Sequence, residues 1–219
     1  MSGGNTVVFK VSIGLAAAFI ACFPAAAQSS SSDGACELHI WPGAGLNSVY
    51  SGVFHGGIVN GAVNGRDGYP ALAVEPIDTA NQVELLRSAA LRDQLNLANY
   101  QPIVHEEALS SRIMRTSVAR IAPSSAPCYA EFIVDSVFFQ QDIVDGSYLK
   151  ILFRYRDFTT EPAPRRVFST WTKTRLTLLP PTPATDMVAA AAELRAAFTR
   201  DVALFASALA KPSKTKASH

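Results

Sequence analysis

Alternation of apolar and polar positions is strongest between Tyr129 and Leu179. Two runs, Tyr129 to Gln141 and Ser147 to Asp157, flank Asp145-Gly146, a dipeptide suited to a tight hairpin because both residues tolerate positive φ. In the second run Leu149, Ile151, Phe153 and Tyr155 share one face; Lys150, Arg154 and Arg156 share the other, interrupted by Leu152. A period of two with one apolar face is the pattern of a half-buried antiparallel strand. Pro162-Ala163-Pro164 turns the chain, Val167 to Leu179 supplies a third arm, and Pro180-Pro181 ends it.

Helical periodicity marks two other stretches. Thr79 and Gln82 stand at capping-box spacing, and Val83, Leu86, Ala90, Leu91, Leu95 and Leu97 extend a helix toward Asn99. A second helix opens at Thr185-Asp186 and runs to about Ala210, with Val188, Ala192, Leu194, Ala197, Phe198, Val202, Phe205 and Leu209 as its expected buried stripe. Glu37 to Trp41 reads as a short strand stopped by Pro42-Gly43, and Ile103 to His105 as another after Pro102. Residues 109–121 read as a short helix or as irregular chain. The fold class expected is α/β (α+β): one mixed sheet of about five strands with an antiparallel meander, and two main helices packed on one face.

The amino-terminal pattern is of another kind. Lys10 precedes an apolar run from Val11 to Phe23, Pro24 breaks it, and Ala25-Ala26-Ala27 supplies a small-x-small site before Gln28. A positive start, a short apolar middle and a small-residue cut define a secretory signal, cleaved between Ala27 and Gln28. The run rises about 20 Å as a helix, short of a roughly 30 Å hydrocarbon core. Lipidation at Cys22 is the alternative to that cleavage, although of the residues before it only Ala21 suits a lipoprotein signal. The domain organisation expected is a signal peptide at 1–27, a disordered leader at 28–35, one α/β domain at 36–210 with a Gly-rich insertion at 46–70, and a disordered basic tail at 211–219. The setting is the periplasm or the extracellular space.

Export changes the reading of cysteine and charge. Without the signal the chain keeps two cysteines, Cys36 and Cys128, which in an oxidising compartment most simply form one disulfide. Two free thiols, or a bridge between molecules, are the alternatives. An internal bridge closes a loop of about 90 residues, for roughly 4–5 kcal/mol of stabilisation in the chain-entropy model. Each cysteine also stands just before an expected strand, so a bridge sets the first strand and the first meander strand parallel and adjacent. Eighteen basic residues then face eighteen acidic ones, a balance that gives no global attraction to nucleic acid. No second apolar run approaches membrane-spanning length.

The order of elements carries a resemblance. Ala126-Pro127-Cys128-Tyr129-Ala130-Glu131-Phe132-Ile133-Val134 looks like the strand entering the long hairpin in the small α/β domains of the TolB amino-terminal region and of the curli secretion channel. Leu152-Phe153-Arg154-Tyr155-Arg156-Asp157 looks like the strand that follows and ends in an acidic turn. The likeness spans most of residues 36–210 and departs from that pattern in the Gly-rich insertion and the cysteine pair. It implies envelope assembly or transport work through contacts with envelope proteins, and it transfers no functional residue.

Candidate chemistry is sparse. Gly57, Gly61 and Gly65 recur at every fourth position, a spacing that on a helix permits close contact with another helix or a membrane. Two Asn-Gly pairs and glycine's helix penalty, about 1 kcal/mol each, favour a loop or hairpin instead. Arg154 and Arg156, with Arg165 and Arg166, gather at one end of the second hairpin arm and offer a site for an acidic partner or lipid headgroup, or else form a solvated face. The Lys211, Lys214 and Lys216 tail offers peripheral contact with anionic surfaces. Histidines 39, 55 and 105 lack metal-site spacing, no Gly-x-Ser-x-Gly elbow is present, and no cofactor, metal site or catalytic set is expected. The leading expectation is a periplasmic non-enzymatic interaction module. The alternative, a small-ligand binder or hydrolase near the Gly-rich segment, requires His55 or His105 beside a carboxylate or serine.

Overall fold

The computed structural model describes residues 35–51, 57–59, 75–142, 145–159, 161–182 and 185–212. Its elements run β1 (Cys36–Trp41), β2 (Leu46–Ser51), β3 (Gly57–Val59), a 3-10 turn (Glu75–Ile77), α1 (Thr79–Ser88), α2 (Leu91–Gln94), β4 (Tyr100–Val104), α3 (Ser111–Thr116), β5 (Tyr129–Asp142), β6 (Gly146–Phe158), β7 (Arg166–Leu176) and α4 (Met187–Leu209). This is the expected mixed α/β class, with one open sheet and two main helices.

The long strand β5 organises the sheet. One of its edges is taken by β6, antiparallel, and β7 follows β6. Its other edge is shared end to end by β1, beside residues 129–133, and β2, beside residues 137–142, both parallel to it. β4 flanks β1 in parallel and β3 flanks β2 antiparallel. The parallel contact of β1 with β5 matches the expectation from the cysteines, and a disulfide joins Cys36 to Cys128 across Cα atoms 4.7 Å apart. Pro102 sits within β4, where an edge position tolerates a residue with no N–H to donate.

The sheet has seven strands rather than about five. The two additional ones, β2 and β3, form a hairpin in the stretch read as an insertion. Leu46 and Ser48 of β2 are buried against the rest of the sheet, so this part of the glycine-rich stretch belongs to the fold.

The core lies between the sheet and the helices. Leu38, Ile40, Phe132, Val134, Leu149, Ile151, Phe153 and Tyr155 point inward, and Phe198, Val202 and Phe205 of α4 close over them. Phe205 meets Phe132 edge-on at 5.5 Å and Phe153 at 5.3 Å between centroids. Six of the eight residues of the expected stripe on α4 are buried, and Val188 and Ala192 are exposed. Ala190, Leu194, Ala197, Phe198, Val202, Phe205, Ala206 and Leu209 are buried, whereas Val188 is 79% exposed. Val188 stands in the first turn of the helix, about 120° around the axis from Leu194.

The first helix also differs from its expectation. It breaks after Ser88, where Ala90 adopts φ 47°, and resumes as the one-turn α2. A left-handed alanine costs roughly 1–2 kcal/mol. The break exposes Ala90 and turns Leu91 and Leu95 into the core. Nor do Thr79 and Gln82 form a capping box. Asp78 caps the helix by accepting from Asn81 N–H at 2.8 Å. The Thr79 hydroxyl donates to Gly43 O, and Gln82 is buried between Gly43 and Ile77.

Candidate functional site

The inner face of the sheet is filled by helices, so the outer face is where chemistry is displayed. Strand alternation sends Glu37, His39 and Trp41 of β1 outward, with Tyr129 and Glu131 of β5, Lys150, Leu152, Arg154 and Arg156 of β6, and Val167, Trp171 and Lys173 of β7. This face divides into a covered half and an open half.

Residues 105–126 cover the half over β1 and the start of β5, and a chain of polar contacts holds them there. His39 Nδ1 lies 2.9 Å from His105 Nε2, and His39 Nε2 lies 3.0 Å from Glu37 Oε2. The Ser124 hydroxyl donates to the same Glu37 oxygen. The bonds from Ser124 and His39 hold the Glu37 carboxyl below its ordinary range. His105 stacks flat on Trp41 at 4.2 Å, and burial, then the nearby His39, lowers its pKa. A proton on His39 Nε2 faces the carboxylate, so in neutral His39 the Nδ1 atom accepts from His105 Nε2–H.

This order of groups does not activate the serine. Nucleophilic catalysis places the imidazole between hydroxyl and acid, whereas here the carboxylate stands between Ser124 and His39. A carboxylate held below its ordinary pKa is also a weak base for a hydroxyl proton. His105 does open onto a cavity of about 400 Å³ that Trp41, Glu106, Glu107 and Ser110 also line. Among the described residues no group of three or more His, Cys, Asp or Glu side chains is placed to hold a metal ion.

Beside this chain lies a buried ion pair. The Arg156 Nε atom donates to Glu131 Oε2 at 2.5 Å, and its Nη1 and Nη2 atoms donate to the carbonyls of Ser117 and Ala119. Glu131 is fully buried, and its other oxygen accepts from the Tyr129 hydroxyl and from Ile121 N–H. Arg156 therefore spends its donors within the fold. Arg154 pairs with Asp135 and Arg165 with Asp157, while Arg166 donates to Leu209 O. Gly57 opens β3 opposite Tyr50, in a strand and not on a helix. Gly61, Gly65, His55, Cys22, Ala27 and Gln28, and the 213–219 end of the lysine tail, lie outside the described residues.

The open half lies over β6, β7 and the second part of β5, and Lys150, Lys173 and Arg175 join Arg154 among its cations. Lys150 and Lys173 stand directly opposite each other in the β6–β7 register, and Leu152 stands opposite Trp171. The Lys150 ammonium lies over the Trp171 ring at 4.9 Å, and that of Lys173 over the Tyr148 ring at 3.7 Å. Phe138 borders Trp171 at 5.7 Å. Trp171 is 43% exposed and Val167 61%. The sequence signal for this patch is the outward set Val167, Trp171, Lys173 and Arg175 at every second or fourth position, which becomes informative once the register aligns it with Lys150.

No protein-family model and no curated protein matches the chain. It is similar to the crystal structure of a Xanthomonas campestris protein of the DUF330 family, with TM-score 0.40 and 13% identity over 79% of this chain and 82% of that one. A second structure, of an uncharacterised protein, has TM-score 0.37 and 12% identity over 81% and 90% of the two chains. Neither bears a TolB or curli description, and likenesses at this level assign neither family nor function.

Proposed function

We propose that the protein is an exported, non-enzymatic interaction module of the cell envelope, assisting assembly or transport through contact with an envelope protein. Its working domain spans residues 36–210 behind a signal cleaved after Ala27, in the periplasm or outside the cell. The observation that carries this reading is the open half of the outer face. Two lysines opposed across neighbouring strands oppose folding, and an exposed tryptophan beside them adds apolar surface to water. Residues that work against their own fold are concentrated at sites of function. The Cys36–Cys128 disulfide suits an oxidising compartment. No helix among the described residues is long and apolar enough to cross a membrane. Photo-crosslinking from positions on several faces in intact cells, followed by mass spectrometry, tests the reading. A specific envelope-protein adduct is expected, and its absence from every face overturns the proposal.

A second reading, a small-ligand site, rests on the cavity beside His105. A fragment library screened by NMR is then expected to shift the His105 and Trp41 ring signals. Their indifference to every fragment removes this reading.

A further inference from the structure

We infer that the open outer face receives an acidic, extended protein segment, which adds itself as a strand along β7. This rests on the interaction-module reading and names the chemistry of the partner.

Charge is the first ground. The face carries Lys150, Arg154, Lys173 and Arg175. Asp135 neutralises Arg154, and Asp145 lies 3.9 Å from Lys173. Lys150 and Arg175 have no carboxylate partner among the described residues, which leaves the described part of the patch two unpaired positive charges. Like charges placed directly across a strand pair repel. The rings of Trp171 and Tyr148 stabilise the two ammonium groups without neutralising them. Among the described residues no carboxylate neutralises Lys150, and an incoming anion supplies one.

The second ground is the backbone. Strand β7 runs for 11 residues and, among the described residues, pairs with β6 alone. Its other edge presents a row of N–H and C=O groups, the template for strand addition. A lipid headgroup or free phosphate neutralises lysines but cannot complete a ladder. A peptide strand does both, since its outward residues fall beside Trp171, Lys173 and Arg175 in succession on every second position. Carboxylates beside Lys173 and Arg175, with an apolar residue beside Trp171, satisfy this edge and this face together.

The test is calorimetric titration of the full protein with a short capped peptide that carries valine, glutamate and glutamate at successive alternate positions and threonine at the positions between. Three comparison probes are the same peptide N-methylated at alternate backbone nitrogens, its counterpart with lysine in place of glutamate, and phosphatidylglycerol vesicles. Expected are binding of the acidic peptide alone, slowed hydrogen exchange at β7 amides, and about tenfold weaker binding, near 1.4 kcal/mol, in Lys150→Glu/Lys173→Glu. That variant is expected to gain affinity for the lysine counterpart. Should it misfold, Lys150→Gln/Lys173→Gln replaces it, with the loss but not the gain. Equal binding of the N-methylated peptide overturns strand addition, and equal binding of the basic peptide overturns the charge argument. Vesicles binding in place of the peptide assigns the face to a membrane surface and overturns the proposal, as does silence from every probe. Cellular crosslinks from a different face, with Ser169 on β7 giving none, overturn this inference while leaving the interaction module standing.

Discussion

The side-chain oxygen of Gln82 accepts from Gly43 N–H at 2.8 Å, while its amide nitrogen donates to Ile77 O at 2.8 Å. Gly43 lies where β1 gives way to β2, and α1 thereby reaches across to the break in the sheet. A Cβ on Gly43 would stand 3.1 Å from Val134 Cγ1 and 3.3 Å from Val134 O, beside the bulge in β5 between Val134 and Ser136. Glycine, glutamine and bulge thus form one joint. Gln82→Ala leaves two buried backbone groups unpaired, at about 1–3 kcal/mol each. Chemical denaturation is expected to show a stability loss of about 2–6 kcal/mol, with Gly43→Ala losing about 1–3 kcal/mol through overpacking.

The Glu131–Arg156 pair predicts an asymmetry. Removing one partner strands a buried charge, so Glu131→Ala is expected to cost about 3–5 kcal/mol. Replacing both with apolar residues of similar volume, as in Glu131→Leu/Arg156→Met, is expected to recover most of that loss in the same denaturation series. If the double variant is as unstable as the single, the pair's role lies in the Ser117 and Ala119 carbonyls that Arg156 holds.

Asp201 sits on the buried face of α4, where it accepts from Thr174 Oγ1 at 3.0 Å. Burial raises its pKa to about 7. The native state then holds a proton that the unfolded chain releases near pH 4, so stability falls as pH rises from about 4 to about 7 and stays low above. Asp201→Asn removes this dependence. The variant's stability relative to the parent is expected to improve across that range by up to a few kcal/mol, read as the difference in urea midpoints at pH 4.5 and pH 8. A constant difference between the two pH values contradicts the assignment.

His105 works in the opposite sense. Its lowered pKa means the unfolded state binds the proton first, so its contribution is complete above about pH 6.5 and is lost as pH falls toward the native value. His105→Phe preserves a ring on Trp41 and removes the titration. The parent is expected to lose more stability than the variant between pH 7.5 and pH 5.5, with the His105 ring protons titrating below pH 6.5 in NMR spectra.

The hairpin was legible in the sequence because its alternation is regular. Leu149, Ile151 and Phe153 are fully buried, and the Asp145-Gly146 turn sets the first pairs, Gln141 with Ser147 and Phe139 with Leu149. The site was less legible because of the bulge after Val134. Counting outward from the turn without it places Glu131 opposite Asp157; the extra residue shifts the register by one and places Glu131 opposite Arg156. A single inserted residue therefore converts a repulsive pair into the buried ion pair, and nothing in the local pattern around Asp135 announces it. Strand β2 escaped notice because glycines follow it. The turn at Ala90 escaped because alanine is the best helix former and gives no local sign of a break. The lysine pair is a relation between strands, visible only once β6 and β7 are in register.

The Cys36–Cys128 bridge has a topological consequence. With its ends 92 positions apart, it makes a covalent ring of the chain from β1 to the threshold of β5, enclosing β2, β3, all of residues 52–74 and the first three helices. A protease that cuts once inside this ring produces a molecule of unchanged mass apart from one added water, whose pieces separate only on reduction. A cut in the meander or α4 releases a fragment at once. Gels run with and without reductant therefore sort cleavage sites into ring and tail, and in an oxidising compartment a protein nicked inside the ring is still a single molecule.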